Sequence, residues 1–208
     1  MIIWYPWGYE AVANAFYAML FRMKYIQRWG IMHSVVPESL STHSMEVAVT
    51  AHALALIGNT YFKRNYDCDR IAVKALYHDL PEILTGDIPT PVKYFSKETK
   101  SAYDLVESAA LKKFLSTLPM ELDSSYSELF KYTTDEKKLI KSADKICAYL
   151  KCMEEERNGN REFSVARDTL AKSISMQKCE EADYFLKEFS EGFSHPIDTL
   201  LTEDRNKK

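Results

Sequence analysis

A complete helix signal runs from Thr133 to Leu150, where the chain reads Thr133-Thr-Asp-Glu-Lys-Lys-Leu-Ile-Lys-Ser-Ala-Asp-Lys-Ile-Cys-Ala-Tyr-Leu150. Thr133 and Glu136 have the spacing of a capping box, in which each side chain bonds the backbone N–H of the other residue. Apolar residues then recur every three or four positions, which predicts a helix with one buried face. These residues are Leu139, Ile140, Ala143, Ile146 and Leu150.

Helical periodicity continues on both sides of this segment. We predict further helices at about 10–25, 42–57, 69–80 and 96–117, and one or two between 164 and 189. Gly58-Asn59 is expected to end the second of these helices, Asp69 to cap the third and Ser96 to cap the fourth. The prolines and glycine between Pro81 and Pro91 predict a structured loop. Hairpin-type turn pairs are nearly absent, so the sequence predicts an all-α fold.

The length of the chain indicates how many domains to expect, and its net charge indicates which kinds of partner are disfavoured. We expect one domain over residues 1–208, with a core from about 20 to 190 and a frayed polar tail at 202–208. The chain carries 27 Lys and Arg against 30 Asp and Glu, a formal net charge of −3, which argues against a nucleic acid polymer as the main partner. The aromatic cluster at Trp4, Tyr5, Trp7 and Tyr9 is expected to form an apolar patch before the first helix.

The opening residues, the apolar runs and the cysteines indicate where in the cell the protein is expected. The opening residues lack the basic start of a signal peptide, and no window approaches 18 clean apolar residues, so no membrane span is expected. The four cysteines form no C-x-x-C pair, which indicates a reducing, cytoplasmic setting.

Four polar residues, His43, His78, Asp79 and Asp144, stand out because they lie on or beside faces that are otherwise apolar. A carboxylate in such a place is costly unless it is paired or bound to a cation. Two imidazoles and two carboxylates together suit a divalent metal with open positions for water. Taken one at a time, each His has a hydrogen-bonded core role as its alternative, and each Asp has a salt bridge.

The other histidines, and the cysteines Cys147 and Cys152, are not expected to bind the metal, because of where they lie in the sequence. His52 lies nine residues after His43, which at about 100° per residue places it on the opposite face of the same helix, and we interpret it as structural. His33 and His195 lie in polar, loop-like contexts and are expected at the surface. Cys147 and Cys152 are expected to be small core or boundary residues.

Five segments share the pattern of a known family. They are Ile26-Gln-Arg-Trp29, Leu40-Ser-Thr-His-Ser44, Tyr77-His-Asp79, Glu82-Ile-Leu-Thr-Gly-Asp-Ile-Pro-Thr-Pro-Val-Lys-Tyr-Phe95 and Lys141-Ser-Ala-Asp-Lys-Ile-Cys-Ala-Tyr-Leu-Lys-Cys152. From about residue 20 to 190 the chain resembles the bacterial HD-domain 5′-deoxynucleotidases, a branch of the HD-domain phosphohydrolase superfamily. The H…HD…D skeleton alone specifies only the superfamily, whereas the Arg-Trp pair and the Thr85–Phe95 segment point to the nucleotidase branch.

The resemblance implies a fold, an activity and a cofactor. The fold would be the helical HD bundle, and the protein would form a homodimer. The activity would be hydrolysis of deoxyribonucleoside 5′-monophosphates to deoxynucleoside and phosphate, with discrimination against ribonucleotides. One divalent ion would be needed, with Co²⁺ favoured in vitro and Mn²⁺ or another divalent ion as alternatives. By resemblance, its ligands would be His43, His78, Asp79 and Asp144.

The resemblance also implies roles at the substrate. Arg28 would orient the phosphate, and Trp29 would crowd the position of a 2′-hydroxyl. Asp87 would accept a hydrogen bond from the 3′-hydroxyl, and the turn Asp87-Ile88-Pro89-Thr90 would line the substrate beside His43, Asp79 and Asp144. From the residues themselves, Asp79 is expected to orient the attacking water. Glu82 is expected to act as general acid or base if the helical path continues, with a surface role as the alternative.

Two other functions stay open on the sequence alone. One keeps the HD site but acts on another nucleotide, as an HD-domain phosphodiesterase or a deoxynucleoside triphosphate hydrolase. The extra phosphates of a triphosphate need more cations than this short, net-acidic chain offers. The other is a helical domain that binds nucleotide or metal without turnover. No clear base-reading group is found, so we expect broad tolerance of the base.

Overall fold

The computed structural model describes residues 14–202, and within that range the chain is helical with no β-sheet. The α-helices are α1 (Phe16–Leu20), α2 (Leu40–Tyr61), α3 (Cys68–Leu76), α4 (Glu82–Thr85), α5 (Thr90–Lys93), α6 (Lys97–Leu115), α7 (Met120–Ser127), α8 (Thr134–Arg157), α9 (Ser164–Met176), α10 (Glu180–Phe189) and α11 (Ile197–Leu200). Short 3₁₀ turns lie at Phe21–Tyr25, Glu128–Phe130, Arg161–Phe163 and Ser190–Ser194. The predicted all-α fold is confirmed.

The two longest helices, α2 and α8, form the centre of the structure. Helices α3 and α10 pack against α2, and α9 and α10 pack against α8. The core between α2 and α8 contains Val47, Leu54, Leu139 and Ile146, each at most 1% exposed. Burying one such side chain stabilises the fold by about 1.5–3 kcal/mol. This core therefore fixes α2 relative to α8, and with them the site residues that each helix carries.

A second apolar cluster holds the chain just after α3. Phe16 of α1 and Phe114 of α6 meet edge to face with their ring centroids 5.0 Å apart, and Leu80 packs in the same cluster. Leu80 is fully buried and directly follows His78 and Asp79. Its burial anchors the turn that presents these two polar residues.

Two helix caps form as the sequence predicts. The Thr133 hydroxyl accepts from the Glu136 backbone N–H at 3.1 Å, and the Glu136 carboxylate accepts from the Thr133 N–H at 2.7 Å. The Ser96 hydroxyl accepts from the Thr99 N–H at 3.1 Å and starts α6. Caps of this kind stabilise a helix by about 1 kcal/mol each.

Two predicted helix boundaries are wrong. Helix α2 continues through Gly58-Asn59 to Tyr61, because the Asn59 side chain bonds the Tyr66 backbone at 2.7 and 2.9 Å instead of ending the helix. Gly58 is needed for packing, since a Cβ there would lie 2.7 Å from the Tyr66 ring. Helix α3 begins two residues earlier than expected, since Asp67 and not Asp69 caps it.

The proline-rich segment from Pro81 to Pro91 is more regular than the predicted loop. It contains α4 and the start of α5, because proline is compatible with the first turn of a helix. Gly86 ends α4 with φ +75°, a conformation that favours glycine.

Some predictions fall partly outside the described range. The expected helix at 10–25 is seen from Phe16 as α1 and the following 3₁₀ turn, while residues 10–13 lie outside the description. The aromatic cluster at 4–9 and the tail at 203–208 also lie outside it. No helix within residues 14–202 is long and apolar enough to cross a membrane.

Candidate active site

His43 is fully buried in the first turn of α2. Ser39 caps this helix, and its hydroxyl accepts from the Thr42 N–H at 3.2 Å. The backbone N–H of His43 donates to the Ser39 carbonyl at 3.0 Å, which places the imidazole at the start of the helix facing α8.

His78 and Asp79 lie in the turn after α3, not inside a helix as the sequence predicted. Helix α3 ends at Leu76, and the His78 ring folds back so that its Nδ1 bonds the Ala75 carbonyl oxygen at 2.7 Å. A carbonyl only accepts, so Nδ1 carries the hydrogen, and Nε2 is the ring atom that can bind a cation after giving up its own proton.

The predicted ligands come together from three parts of the chain. One ligand atom each from His43, His78 and Asp144 forms a set in which all atoms lie within 4.8 Å of one another. His43 Nε2 lies 3.1 Å from Asp144 Oδ1. Asp79 is not in that set, but its Oδ2 lies 2.9 Å from His78 Nε2 and 3.8 Å from His43 Nε2.

The geometry of His78 fits a shared cation better than a hydrogen bond. Its buried Nε2 is 2.9 Å from Asp79 Oδ2, yet it makes no hydrogen bond to any part of the chain that the structure describes. Ligand atoms about 2.1 Å from one ion lie about 3.0 Å apart at 90° and about 3.4 Å apart at a tetrahedral angle, so this distance and the His43–Asp144 distance are close to those of ligands that share an ion. Nitrogen and carboxylate donors together suit Zn²⁺, Co²⁺, Mn²⁺ or Fe²⁺. The residues therefore fit a divalent cation.

His78 and Asp79 favour opposite charges on each other in this cluster. Burial alone would lower the pKa of His78, but Asp79 raises it to about 9. Burial alone would raise the pKa of Asp79, but His78 holds it far below its ordinary value. Asp79 thus keeps its negative charge although its side chain is only 20% exposed, and a positive charge must accompany it.

Arg28 brings a permanent positive charge next to the ligand cluster. Its Nη1 lies 3.7 Å from Asp79 Oδ2, and the side chain is only 12% exposed. Burial alone would lower the pKa of Arg28, but nearby carboxylates, Glu38 foremost, raise it above its ordinary value. A buried guanidinium beside a cation site is suited to hold a phosphate by two hydrogen bonds.

Trp29 is held in an unusual conformation next to Arg28. Its φ is +61°, a strained value for a bulky residue that costs of order 1 kcal/mol. The ring packs edge-on against Phe163 with centroids 5.1 Å apart, and its Nε1 donates to Glu38 at 2.6 Å. Backbone strain that neighbours hold in place is typical of functional positions.

Glu82 lies at the start of α4, close to the ligand turn. Its backbone N–H donates to the Asp79 carbonyl at 3.0 Å, so a turn and not the predicted continuous helix brings the two residues together. Burial, with the charges of Asp79 and Asp87, raises the pKa of Glu82 to about 9. Its Oε2 is buried and has no hydrogen-bond partner among the described residues. Burial therefore favours the protonated carboxyl of Glu82, the form that can donate a proton.

The predicted substrate turn runs from Asp87 to Thr90, between α4 and α5. Burial raises the pKa of Asp87, while the positive charge of Arg28 opposes the rise. Asp87, Ile88 and Pro89 are half-buried, and Thr90 is exposed. Asp87 is thus the residue of the turn whose charge interacts with Arg28 and Asp79.

Comparison with known proteins places this arrangement in a family. The chain matches the family described as 5′-deoxynucleotidase YfbR-like over residues 15–193. A relative named 5′-deoxynucleotidase, from Cronobacter sakazakii, is 44% identical over 188 residues, which cover 89% of this chain and 94% of that protein. The chain belongs to the YfbR-like 5′-deoxynucleotidase family. The resemblance seen in the sequence is confirmed.

Solved structures show the same fold as this YfbR-like protein. An HD-domain phosphohydrolase from Listeria innocua, lin2634, has a TM-score of 0.76 and 26% identity, covering 86% of this chain and 88% of that one. The cyanophage S-2L HD phosphohydrolase DatZ, bound to dA and one catalytic Zn²⁺ ion, has a TM-score of 0.63 and 18% identity, covering 84% and 96%. The predicted HD-domain bundle is confirmed.

The remaining histidines and the cysteines of the YfbR-like protein lie where the sequence placed them. His52 is part-exposed and faces Asp69 at 3.6 Å, and His33 and His195 are exposed. Cys147 and Cys152 are buried, and the four cysteines are free thiols. None of these residues belongs to the ligand set found in residues 14–202.

Sequence reasoning missed two buried glutamates of the YfbR-like protein, Glu38 and Glu155. Glu38 contacts both Arg28 and Trp29. Glu155 of α8 accepts from the Val35 and Val36 N–H groups at 2.8 and 2.9 Å, and so holds the loop between Trp29 and Glu38. Glu38 lies outside any periodic pattern and has no sequence signal, whereas Lys151 and Glu155 have the i,i+4 spacing of an ion pair.

Replacing Glu155 tests how strongly this loop is anchored. Glu155→Ala is expected to lower the free energy of unfolding by about 3 kcal/mol or more at pH 7, because the buried Lys151 loses its shortest carboxylate contact and the Val35 and Val36 N–H groups lose their acceptor. Urea unfolding followed by circular dichroism measures this. Glu154→Ala is the control, since Glu154 is 40% exposed and lies 3.3 Å from the same lysine.

The pH dependence of that difference follows from the charge of Glu155. Burial alone would raise its pKa, but Lys151 and the two backbone N–H groups lower it to about 2. Its contribution is complete above the unfolded pKa of about 4.3 and is lost as the pH falls through the folded pKa. The gap between wild type and Glu155→Ala should therefore shrink below about pH 4. A gap that stays constant down to pH 2 would contradict this assignment.

Proposed function

We propose that this protein hydrolyses deoxyribonucleoside 5′-monophosphates to deoxynucleoside and phosphate. The observation that supports it most is the buried Arg28 guanidinium 3.7 Å from Asp79, beside ligand atoms that fit one divalent cation. The ligand carboxylates balance such a cation, so an incoming phosphate dianion needs a further positive partner. Arg28 supplies it.

Each residue of the cluster has a role in this proposal. His43, His78, Asp79 and Asp144 hold the cation, which when bound supplies Lewis-acid chemistry and lowers the pKa of water toward about 7. Arg28 binds and orients the phosphate oxygens. Asp79 also orients the attacking water. Asp144 leaves 37% of its side chain exposed, which gives the substrate a side from which to enter.

Glu82 is the proton donor of the proposal. Phosphate-ester hydrolysis leaves a negative charge on the 5′-oxygen of the departing nucleoside. A carboxyl that is protonated at neutral pH and lies near the ligand turn can protonate that oxygen as the bond breaks. The buried, protonated state of Glu82 supports this role.

Trp29 and the Asp87–Thr90 turn contact the sugar and distinguish deoxyribose from ribose. In this proposal Trp29 crowds a 2′-hydroxyl, and Asp87 accepts from the 3′-hydroxyl, while Ile88, Pro89 and Thr90 line the nucleoside. A bulky ring in the place of the hydroxyl discriminates by repulsion, which an apolar pocket alone does poorly.

Replacing Trp29 with a smaller residue tests whether it selects deoxyribose over ribose. Trp29→Ala is expected to lower the ratio of kcat/KM for dNMP over NMP by about tenfold or more, because the space for a 2′-hydroxyl opens. Phosphate release from matched pairs, such as dAMP and AMP, measures the ratio. Trp29→Phe keeps an aromatic ring and should retain most of the discrimination. An unchanged ratio in Trp29→Ala would remove this residue from the role.

The proposed activity is tested by phosphate release from all deoxyribo- and ribonucleoside 5′-monophosphates with Co²⁺, Mn²⁺, Zn²⁺ and Mg²⁺. We expect turnover of the deoxy series, loss on chelation and recovery when the metal is returned. Cyclic nucleotides and dNTPs are included, since turnover of these alone would favour another HD-domain hydrolase. Tight nucleotide binding without turnover of any of them would favour a binding domain and contradict the proposal.

Three finer expectations accompany the proposal. Co²⁺ is expected to support the highest rate in vitro. A homodimer is expected, and sedimentation velocity measures it. The free cysteines fit a reducing compartment such as the cytoplasm.

A further inference from the structure

The segments before Arg28 and after Glu38 are paired through their backbones. The Arg28 N–H donates to the Glu38 carbonyl at 2.9 Å, and the Leu40 N–H donates to the Ile26 carbonyl at 2.8 Å. This short antiparallel bridge closes the loop of residues 29–37 at its base. It therefore brings the Glu38 side chain beside two residues that precede it by ten and nine positions.

One carboxylate of Glu38 holds both Arg28 and Trp29. Glu38 is 5% exposed, and its Oε2 accepts from Trp29 Nε1 at 2.6 Å and from Arg28 Nε at 3.1 Å. Its Oε1 lies 3.6 Å from Nδ1 of His43, on the side of the ring away from the ligand cluster. A single side chain thus contacts the proposed phosphate-binding residue and the proposed sugar-reading residue.

Glu38 binds atoms of Arg28 and Trp29 that leave the outer guanidinium nitrogen of Arg28 free to face the ligand cluster. Glu38 takes the inner Nε of Arg28, while the outer Nη1 is directed to Asp79 at 3.7 Å. It also takes the single polar atom of the Trp29 side chain, which fixes the rotation of a ring that the positive φ already constrains. The contact therefore sets the direction of both groups without occupying the guanidinium atom that faces the cluster.

We propose that Glu38 is a positioning residue that orients Arg28 and Trp29 together, and so couples phosphate binding to discrimination of the sugar. Loss of the carboxylate frees both side chains at once. Affinity for the phosphate and selection against the 2′-hydroxyl then fall together. This inference rests on the proposed function.

The test compares Glu38→Ala and Glu38→Gln with Glu181→Ala. Glu181 is 2% exposed and accepts from Nε of Arg64 at 3.2 Å, so it matches the Glu38 contact in kind. Arg64 follows the far end of α2, and His43 and Gly58 are about 22 Å apart along that helix. Glu181→Ala therefore controls for the loss of a buried ion pair away from the site.

In Glu38→Ala we expect the KM for dNMP to rise about tenfold to a hundredfold, and the dNMP/NMP ratio of kcat/KM to fall by about tenfold. Glu38→Gln keeps a carbonyl oxygen that accepts from Trp29 Nε1 but loses the charge facing Arg28. It should retain more of the sugar ratio than of the phosphate affinity. Glu181→Ala should keep the wild-type KM and ratio.

A spectroscopic readout follows the contact without turnover. The chain has 3 tryptophans, so the indole N–H signal of Trp29 in a ¹H–¹⁵N spectrum is the one missing in Trp29→Phe. A hydrogen bond to a carboxylate shifts such a signal downfield. It should move upfield in Glu38→Gln, move further in Glu38→Ala, and stay in place in Glu181→Ala.

The outcomes separate this inference from the proposed function. Wild-type protein that releases no phosphate from any dNMP contradicts the function, and the indole signal still tests the positioning. Active wild type with an unchanged KM and ratio in both Glu38 variants overturns only the inference. An indole signal that stays in place in both variants also overturns it. If Glu38→Ala fails to fold, Glu38→Gln carries the test on its own.

Discussion

Asp144→Ala is expected to lose the bound divalent ion and to lower the rate of phosphate release by about 10,000-fold or more. Asp144 contributes an oxygen 3.1 Å from His43 Nε2, within the set of ligand atoms that lie inside 4.8 Å of one another. Without this carboxylate, two imidazoles and Asp79 remain, and the charge that balances a divalent cation is halved.

Two measurements separate metal loss from unfolding in this variant. Metal content after gel filtration reports the ion, and circular dichroism reports the helical fold. Asp135→Ala is the control, because Asp135 is an exposed acid in the first turn of the same helix. If Asp144→Ala kept full metal content and the wild-type rate, Asp144 would not be a ligand.

Glu82→Gln is expected to lower kcat for dNMP by about 100- to 10,000-fold with little change in KM. Glutamine has the shape of the protonated carboxyl but no proton to give. The fold should hold, because glutamine has nearly the same shape and carries no charge into a site where burial raises the pKa of the carboxyl to about 9. Steady-state kinetics and thermal unfolding of the variant measure both expectations.

The pH dependence of kcat gives a second test of Glu82 as the general acid. A general acid is active while protonated, so wild-type kcat should fall as the pH rises through the pKa of Glu82. A bound cation favours the carboxylate, which places this limb at or below about pH 9. The limb should be absent in Glu82→Gln. The loss of rate should also shrink with an aryl phosphate, whose leaving group departs without protonation. Equal losses of kcat for both substrates would contradict a role of Glu82 in protonating the leaving group.

The sequence singles out the four proposed ligands because they lie in or beside elements with strong local signals. The apolar periodicity of α2 and α8 marks His43 and Asp144 as polar groups at the edge of a core. His78 and Asp79 were expected at the end of a helix and lie just beyond it. The error has little effect on the site, because burial of Leu80 fixes the turn.

The sequence does not predict the partners that orient the ligands and substrate groups. Glu38 reaches Arg28 and Trp29 only because the loop between them closes through a backbone bridge and a left-handed Trp29. Neither feature has a periodic signature. Glu82 is predicted as a site residue from the sequence, but on the expectation of a continuous helix, whereas a turn through Pro81 brings it beside Asp79. Contacts made by irregular segments depend on tertiary structure, which local patterns do not encode.

Anomalous diffraction from crystals of the Co²⁺-loaded protein tests most directly whether His43, His78, Asp79 and Asp144 share one cation. We predict a single strong cobalt peak, about 2.0–2.3 Å from Nε2 of both histidines and from an oxygen of each aspartate. A cobalt peak bound elsewhere, or the absence of a peak among these four side chains at saturating Co²⁺, would contradict the account.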